Sequence, residues 1–368
     1  MIADLRALLR EGARLWHDAR QIPRMILNPK YSQSHFPSEP RKSKPRIAVD
    51  LLAWLLRYRE FNEYYYVYGF DRRDANMDQY LSHRAFRRIR NSRNYYPAGG
   101  GCNYICLLQD KFVFSQFVSS LGFPTPKNLA IVDQASVTWL SPRKTAPLED
   151  LVRDEDLHFD AFCKRLSGLS GKGAFPLRLR DRRLFINDEA ITPAQLKDRL
   201  QVHQYLIQER VRQHATMSEL HPPSLNTIRL MTFNNGGTVR VFSAGLKVGA
   251  NGQNLDNWSA GGILVGIDRE SGRLRGEGLF KPGYGSKVRE HPQTGVRFSG
   301  FEIPYFHDAV ELAVRLHGYF YAVHSIGWDI AITDRGPLII EGNDNWGGHI
   351  PMALEQNFKQ RFLEMYRA

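Results

Sequence analysis

Two carboxylates and a carboxamide stand close together in residues 326–348. The stretch reads as two short apolar strands joined by a turn. If the hairpin is centred on Arg335, Asp329 and Glu341 are direct cross-strand neighbours, with Cβ atoms about 5 Å apart. Alternation along the second strand is expected to place three side chains on one face: Ile339, Glu341 and Asn343.

These residue types suit a divalent cation. Two facing carboxylates repel each other and are costly to bury unpaired, and a hard cation removes both problems. Mg²⁺ accepts carboxylate and amide oxygens, with phosphate oxygens and water completing its octahedron. The small residues Gly327 and Ala331 share the face of Asp329 and are expected to leave room for phosphates. The alternative is an exposed hairpin with solvated acids, but the flanking isoleucines favour burial.

The pattern Asp-x-apolar-x, followed by Gly-x-x-apolar-apolar-Glu-x-Asn, resembles the metal-binding end of ATP-grasp enzymes. In that family these three residues hold Mg²⁺ (or Mn²⁺) ions that bridge the phosphates of ATP. The resemblance implies that Asp329, Glu341 and Asn343 are metal ligands and that ATP is the cofactor. Companion segments in the family's order extend the resemblance over residues 103–350.

Two of these segments resemble phosphate-binding elements. The run Asp-Lys-Phe at 110–112 opens a helix, and the resemblance gives Lys111 a contact with phosphates; a surface lysine is the alternative. A strand that ends at Lys164 leads into a glycine-rich loop, which is similar to the family's strand lysine and phosphate cover. The loop residues assigned to nucleotide binding are Ser170, Gly171 and Gly173. Glycine lets backbone N–H groups approach phosphate oxygens closely, although a plain turn has the same composition.

The apolar strand at 205–211 is interrupted by polar residues. It resembles the hinge of ATP-grasp enzymes, where backbone groups read adenine and an acid lies near the ribose. The residues assigned to this hinge are Gln208, Glu209 and Val211. An ordinary edge strand is the alternative.

Arg229 is a candidate catalytic residue because it interrupts an otherwise apolar strand. A buried arginine needs anionic partners, and ATP phosphates or an acyl phosphate would serve. The run Asn-Asn-Gly-Gly at 234–237 predicts a hairpin after this strand. Lys247, on the return strand, would add a second cation.

The segment 255–268 resembles the family's Asp-Asn…Gly-Gly segment. The resemblance gives Asn257 a contact with phosphate or metal, whereas the bland interpretation is a β-bulge. In the following Gly/Pro-rich loop, His291 and Arg297 are candidates for binding the acceptor substrate, although a loop histidine is more often solvated.

Charge and length predict the organisation of the chain. The net charge is +12, and residues 1–100 contribute +9, from 19 Lys and Arg against 10 Asp and Glu. We predict an α+β fold of the ATP-grasp type, with two α+β subdomains enclosing ATP. The predicted units are a basic helical region at 1–101, a subdomain with the glycine-rich loop at 102–206, and a subdomain with the metal hairpin at 207–368. In place of a Rossmann-like domain, a basic helical region precedes the nucleotide-binding part.

Apolar runs approaching the ~20 residues of a membrane span are absent from the sequence. The arginine-rich N-terminus does not resemble a signal peptide, and three cysteines suggest a reducing compartment, so a cytoplasmic protein is expected. Residues 2–20 fit an amphipathic helix. We expect it to dock on the body through Leu5, Leu9 and Trp16; lying on an anionic membrane surface is the less favoured alternative. Nucleic acid is not an expected partner, because the sequence carries none of the familiar recognition motifs.

The resemblance is closest to the sugar-transfer-associated ATP-grasp proteins. It implies phosphoryl transfer from ATP to a carboxylate, followed by attack of an amine, so the expected partners are ATP and small carboxylate and amine substrates. The first alternative is a kinase that phosphorylates a hydroxyl of a sugar or another acceptor. The second is a non-catalytic, basic protein that binds a membrane or glycan.

Overall fold

The computed structural model describes residues 2–95, 103–168, 173–200 and 203–367, with side chains from residue 10 onward. These residues form two antiparallel sheets with helices packed around them. The predicted α+β class is therefore confirmed.

The N-terminal region contains four helices before residue 96: α1 (Ile2–Ala19), α2 (Gln21–Leu27), α3 (Lys44–Tyr58) and α4 (His83–Asn94). Helix α1 matches the predicted helix. Helix α3 ends at Tyr58, because Arg59 adopts a left-handed conformation with φ of 53°. The tyrosines that follow lie in turns and are buried, as packing residues.

Helix α1 does not use Trp16 to dock, because this side chain is 69% exposed. Glu11 instead forms an ion pair with Arg59 at 3.3 Å, so a polar residue faces the body. The expectation that Trp16 is buried was wrong. Leu5 and Leu9 lie outside the part of the chain whose side chains are described.

The first sheet is built from residues 128–209. Helices α5 (Cys106–Gln109) and α6 (Lys111–Ser120) precede it, and α7 (Pro193–Leu200) packs in its core. Its strands are β1 (Asn128–Asp133), β2 (Ser136–Leu140), β3 (Arg143–Pro147), β4 (Phe159–Arg165), β5 (Phe175–Arg180), β6 (Arg183–Ile186), β7 (Glu189–Ile191) and β8 (Gln204–Glu209). The spatial order is β3-β2-β1-β8-β4-β5-β6-β7. The predicted boundary after residue 206 falls within β8.

The second sheet follows helix α8 (Ala215–Leu220). Its strands and the later helices are β9 (Thr227–Asn235), β10 (Thr238–Val248), β11 (Ile263–Ile267), β12 (Leu274–Phe280), β13 (Lys287–Val288), α9 (Phe306–Tyr319), β14 (Ser325–Thr333), β15 (Gly336–Asn343), α10 (His349–Leu354) and α11 (Phe358–Arg367). The order is β13-β12-β11-β10-β9-β14-β15. The predicted hairpin at 234–237 is confirmed: Gly236 and Gly237 have φ of 59° and 93°, as a tight hairpin turn requires.

Both faces of the second sheet are covered. One face packs against α6 and α9. The other face packs against the N-terminal region and the C-terminal helices, in one shared core cluster that includes Trp54, Tyr64, Phe86, Met231, Trp258, Trp346 and Phe362. Because side chains alternate along β9, Ile228 and Leu230 belong to the first core, and Arg229 lies on the face covered by the N-terminal region.

Among the described helices, none combines the length and apolar character needed to cross a bilayer.

Candidate functional site: a charged cluster between the two sheets

Asp329 and Glu341 lie directly opposite each other on β14 and β15, as predicted. The pairing depends on a bulge: Ile330 pairs with Ile339 and Asp329 pairs with Glu341, so Ile340 is an extra residue in β15. The bulge reverses the alternation, so Ile339 faces the same core as Ile330. The expectation that Ile339 and Glu341 share a face was therefore wrong.

Two cations contact Asp329 from the neighbouring strands. Arg229 Nη2 donates to Asp329 Oδ2 at 3.0 Å, because the two residues are cross-strand partners on β9 and β14. Lys247 Nζ, from β10, lies 2.9 Å from Asp329 Oδ1. The side chains of Arg229, Lys247 and Asp329 are only 15, 10 and 5% exposed. The sheet thus holds two predicted catalytic cations against a predicted metal ligand.

Burial controls the protonation of these groups. Burial and the facing Glu341 carboxylate together raise the pKa of Asp329 to about 6, although Arg229 and Lys247 oppose the rise. Burial alone would lower the pKa of Lys247, but Asp256 and Asp329 reverse this, so its pKa is raised. Lys247 therefore stays protonated. The negative charge of Glu341 disfavours ionisation of Asp329.

Asp256 was missed by the sequence reasoning, which selected the next residue, Asn257. Its carboxylate accepts a hydrogen bond from Thr227 N at 2.9 Å and lies 3.5 Å from Lys247 Nζ. It therefore gives Lys247 a second carboxylate neighbour besides Asp329. The signal was available, since Asp256 precedes Asn257 in the segment that carried the resemblance.

Two lysines of the first sheet's side complete the charged cluster. Lys164, on β4, is 9% exposed, and burial lowers its pKa to about 8 although Glu341 opposes this shift. Lys111 opens α6, and its Nζ donates to Gly168 O at 3.0 Å. Both lysines act electrostatically on Glu341. We define the charged cluster as Lys111, Lys164, Arg229, Lys247, Asp256, Asp329 and Glu341.

Gly327 was expected to leave open space beside Asp329, but the structure shows that this space is filled. A Cβ built on Gly327 would lie 2.7 Å from Trp346 Cβ and 3.2 Å from Arg229 Nη1. The absent side chain is replaced by Trp346 and the guanidinium group. Gly327 therefore permits the position of Arg229 above the sheet.

The donor set fits a hard divalent cation. Asp329 Oδ1 is buried and lies 2.9 Å from Lys247 Nζ, so an anionic oxygen is held inside the cluster. Asn343 Nδ2 donates to Glu341 Oε1 and to Gly327 O, both at 3.2 Å, which fixes the amide beside the pair. The described residues contain no group of three His, Cys, Asp or Glu side chains suited to a metal. A cation here would need the Asn343 amide, phosphate oxygens and water as further ligands.

The hinge residues lie where the chain leaves the first sheet. Gln208 is buried, and its Nε2 donates to Asn128 Oδ1 at 2.6 Å. Glu209 ends β8 with an exposed side chain, and its backbone N donates to Lys127 O. Val211 is half-buried in the connection to α8. Their assignment to adenine binding remains a prediction.

Only the end of the glycine-rich loop is described. Gly173 has φ of 76°, and a Cβ there would lie 2.7 Å from Arg165 Nε. Ser170 and Gly171 lie outside the described residues.

The remaining predicted residues have structural contacts. Asn257 is half-buried, and its Oδ1 accepts from Ser259 N at 3.0 Å, where it begins a short helical turn. His291 is fully buried, not solvated; its Nε2 bonds Gly249 O at 2.9 Å. Arg297 is exposed and forms an isolated backbone bridge with Glu290. Their catalytic or acceptor roles remain predictions.

The sequence matches the family model described as sugar-transfer associated ATP-grasp over residues 90–365. The chain therefore belongs to this family. The predicted family and the ATP-grasp fold are confirmed. A search of curated proteins gave no match.

Solved structures with a similar arrangement include two synthetases. D-alanyl-alanine synthetase A from Vibrio cholerae is 13% identical, with a TM-score of 0.41, covering 73% of this chain and 66% of that one. N5-carboxyaminoimidazole ribonucleotide synthetase from Thermotoga maritima is 16% identical, with a TM-score of 0.38, covering 78% of this chain and 56% of that one. The chain thus spans between about half and two thirds of these proteins.

Proposed function

We propose that this protein is an ATP-dependent carboxylate–amine ligase that acts through an acyl phosphate. The observation that carries the proposal is the charged cluster, in which cations from both sides converge on the facing pair Asp329 and Glu341. Membership of the ATP-grasp family supports ATP as the phosphoryl donor.

The charge balance of the cluster suits a bound polyphosphate. It contains four cationic side chains against three carboxylates, and Arg229 and Lys247 are held in place by Asp329 and Asp256. Because these groups are already oriented and largely buried, they stabilise developing charge with little reorganisation. Lys164 and Lys111, on the other side, are positioned to contact phosphate oxygens.

Phosphoryl transfer needs positioning and charge stabilisation more than covalent chemistry by the protein. In the first step, a substrate carboxylate oxygen attacks the γ-phosphorus of ATP, and ADP leaves. In the second step, an amine nitrogen attacks the acyl carbon, inorganic phosphate leaves, and the nitrogen loses a proton. Arg229 and Lys164 would neutralise the transferring group in the first step.

The residues that would hold Mg²⁺ are Asp329, Glu341 and Asn343. The ion, when bound, would offset the phosphate charge and keep both carboxylates ionised.

ADP release in the presence of panels of carboxylic acids and amines tests this function. A ligase releases ADP only when both an acid and an amine are present. Release with a sugar alone would indicate the kinase alternative. Nucleotide binding with no ADP release for any acceptor would contradict the enzymatic function and favour the non-catalytic alternative.

A further inference from the structure

A cavity of about 620 Å³ lies between the N-terminal helices and the segment that follows β15. This volume is in the range of small-molecule sites. Helix α4 contributes His83, Arg87 and Arg90, whose spacing places them on one helix face, and α1 contributes Arg14. The other wall includes residues 345–349.

The cavity carries an excess of positive charge. Four arginines line it: Arg14, Arg24, Arg87 and Arg90. Three acids lie in its wall: Asp18, Glu60 and Glu63. Glu60 accepts hydrogen bonds from the backbone N of His83 and Arg84, and Glu63 forms an ion pair with Lys281 at 3.3 Å. Arg14 and Arg87 form no ion pair within 4 Å among the described residues, although both lie close enough to the Glu60 carboxylate to stabilise its charge. A bound anion would share their guanidinium groups with Glu60.

A second observation points to a ligand. The buried Nε2 of His83 has no hydrogen-bond partner among the described residues, although His83 lines the cavity. Its ring stacks on His349, with centroids 5.9 Å apart. A buried ring nitrogen without a partner is costly, so a polar ligand would stabilise it.

The cavity lies near the charged cluster. Asn345 and Gly347 line the cavity, and Trp346 between them lies beside Gly327 together with Arg229: a Cβ on Gly327 would lie 2.7 Å from Trp346 Cβ and 3.2 Å from Arg229 Nη1. Burial, together with the charges of His83, Lys281 and Arg229, lowers the pKa of His349 to about 3. His349 is therefore within electrostatic range of both the cavity wall and the residue that contacts Asp329.

We propose that this cavity binds the acceptor substrate, and that the acceptor is a small anion whose carboxylate or phosphate group is recognised by Arg14 and Arg87. The proposal rests on the ligase function above and assigns a substrate class to it. It also gives the basic N-terminal region a role, since that region supplies one wall of the site.

Titration calorimetry on the full chain tests the proposal with three probes: citrate, inorganic phosphate and Mg²⁺ with a non-hydrolysable ATP analogue. Arg87→Gln should weaken citrate or phosphate binding roughly tenfold or more, as expected for the loss of a charge-assisted contact. Its affinity for the ATP analogue should not change. Arg88→Gln is the matched control, because Arg88 is the next residue of α4, is also exposed and does not line the cavity.

Citrate tests recognition of a carboxylate group, and inorganic phosphate tests recognition of a phosphate group. The probe that binds more tightly identifies the group that the cavity recognises. Equal affinities in the wild type and Arg87→Gln would overturn the proposal, as would failure of the wild type to bind either anion. Anion binding that disappears when the ATP analogue saturates the protein would also overturn it, because the anions then occupy the nucleotide site. A wild type that binds anions but not the ATP analogue would refute the ligase function and the acceptor role with it.

Discussion

Asp329 and Glu341 face each other because β15 contains one residue more than β14 over the same length. Below the bulge the strands pair Ile330 with Ile339, and above it they pair Asp329 with Glu341. Without the bulge, the regular register would place Ile340 opposite Asp329. The bulge therefore brings the second carboxylate to the face that carries Arg229 and Lys247.

We predict that Glu341→Gln abolishes ADP release while the fold is retained. The amide has nearly the same volume as the carboxylate but carries no negative charge. That charge would bind Mg²⁺, and it also interacts with Lys111 and Lys164. The melting temperature should stay within a few degrees, since a repulsive pair is relieved. Glu302→Gln is the control, because this exposed residue has only a surface ion pair with Arg273. Full ADP release by Glu341→Gln would exclude the proposed metal site.

Lys164→Met should weaken binding of the ATP analogue by about ten- to a hundredfold, the usual range for a buried charged contact. The folded protein should tolerate methionine, because the change removes a buried charge from β4. Calorimetry measures the affinity, and Lys144→Met, on the exposed strand β3 of the same sheet, provides the comparison. If both variants bind the analogue like the wild type, Lys164 has no role in nucleotide binding.

Gly327→Ala should lower kcat at least tenfold by displacing Arg229. A methyl group here meets Trp346, which is fixed in the core, so the flexible guanidinium group must move away from Asp329. Gly318→Ala is the matched control, because a Cβ in that part of α9 contacts nothing within 4 Å. Unchanged kcat in Gly327→Ala would show that the Arg229–Asp329 contact is not needed for turnover.

The buried, neutral His317 should make the protein less stable at acidic pH, where the unfolded chain takes up a proton at this residue. Trp328 Nε1 donates to Thr232 Oγ1, the hydroxyl donates to His317 Nδ1, and His317 Nε2 donates to Val323 O. This series of hydrogen bonds needs a neutral imidazole ring at His317, and burial lowers the pKa of His317 to about 4. The unfolded chain binds a proton below about pH 6.5 that the folded state excludes, so stability falls as the pH drops from about 6.5 to 4, by up to about 1.4 kcal/mol per pH unit.

The measurement is the free energy of unfolding in urea between pH 7.5 and 4.5. His317→Gln should be less stable at neutral pH but lose less stability on acidification. His307→Gln, at an exposed position of α9, should behave like the wild type. Parallel pH dependences for the wild type and His317→Gln would contradict the prediction.

Much of the second sheet was predictable because its signals are local. Alternating isoleucines, the Asn-Asn-Gly-Gly turn and the acid spacing indicate β9, β10, β14 and β15 without knowledge of the rest of the chain. The pairing of Asp329 with Glu341 was predicted correctly, but the register near the turn was not: Thr333 pairs with Gly336, so the hairpin is not centred on Arg335, and the bulge then restores the predicted pair. The bulge depends on the packing of Ile339 into the core that the sheet shares with α6 and α9. Local sequence patterns do not encode this packing.

The other misses have the same origin. Trp16 belongs to an amphipathic helix, and sequence alone does not say which side of such a helix meets the body. Asp256 and His349 gain their importance from partners on other elements, Thr227 and His83. The sequence shows each residue but not the neighbours that fold next to it.

The core shared by the N-terminal region and the second sheet limits how this protein can be divided. The family match begins at residue 90, yet Phe86 packs edge-on against Trp346, and Tyr64 stacks on Trp258. A fragment trimmed to the matched segment would uncover a broad aromatic surface beside the charged cluster. Such a fragment should aggregate, so the first ninety residues belong in any chimera or minimal version of this protein.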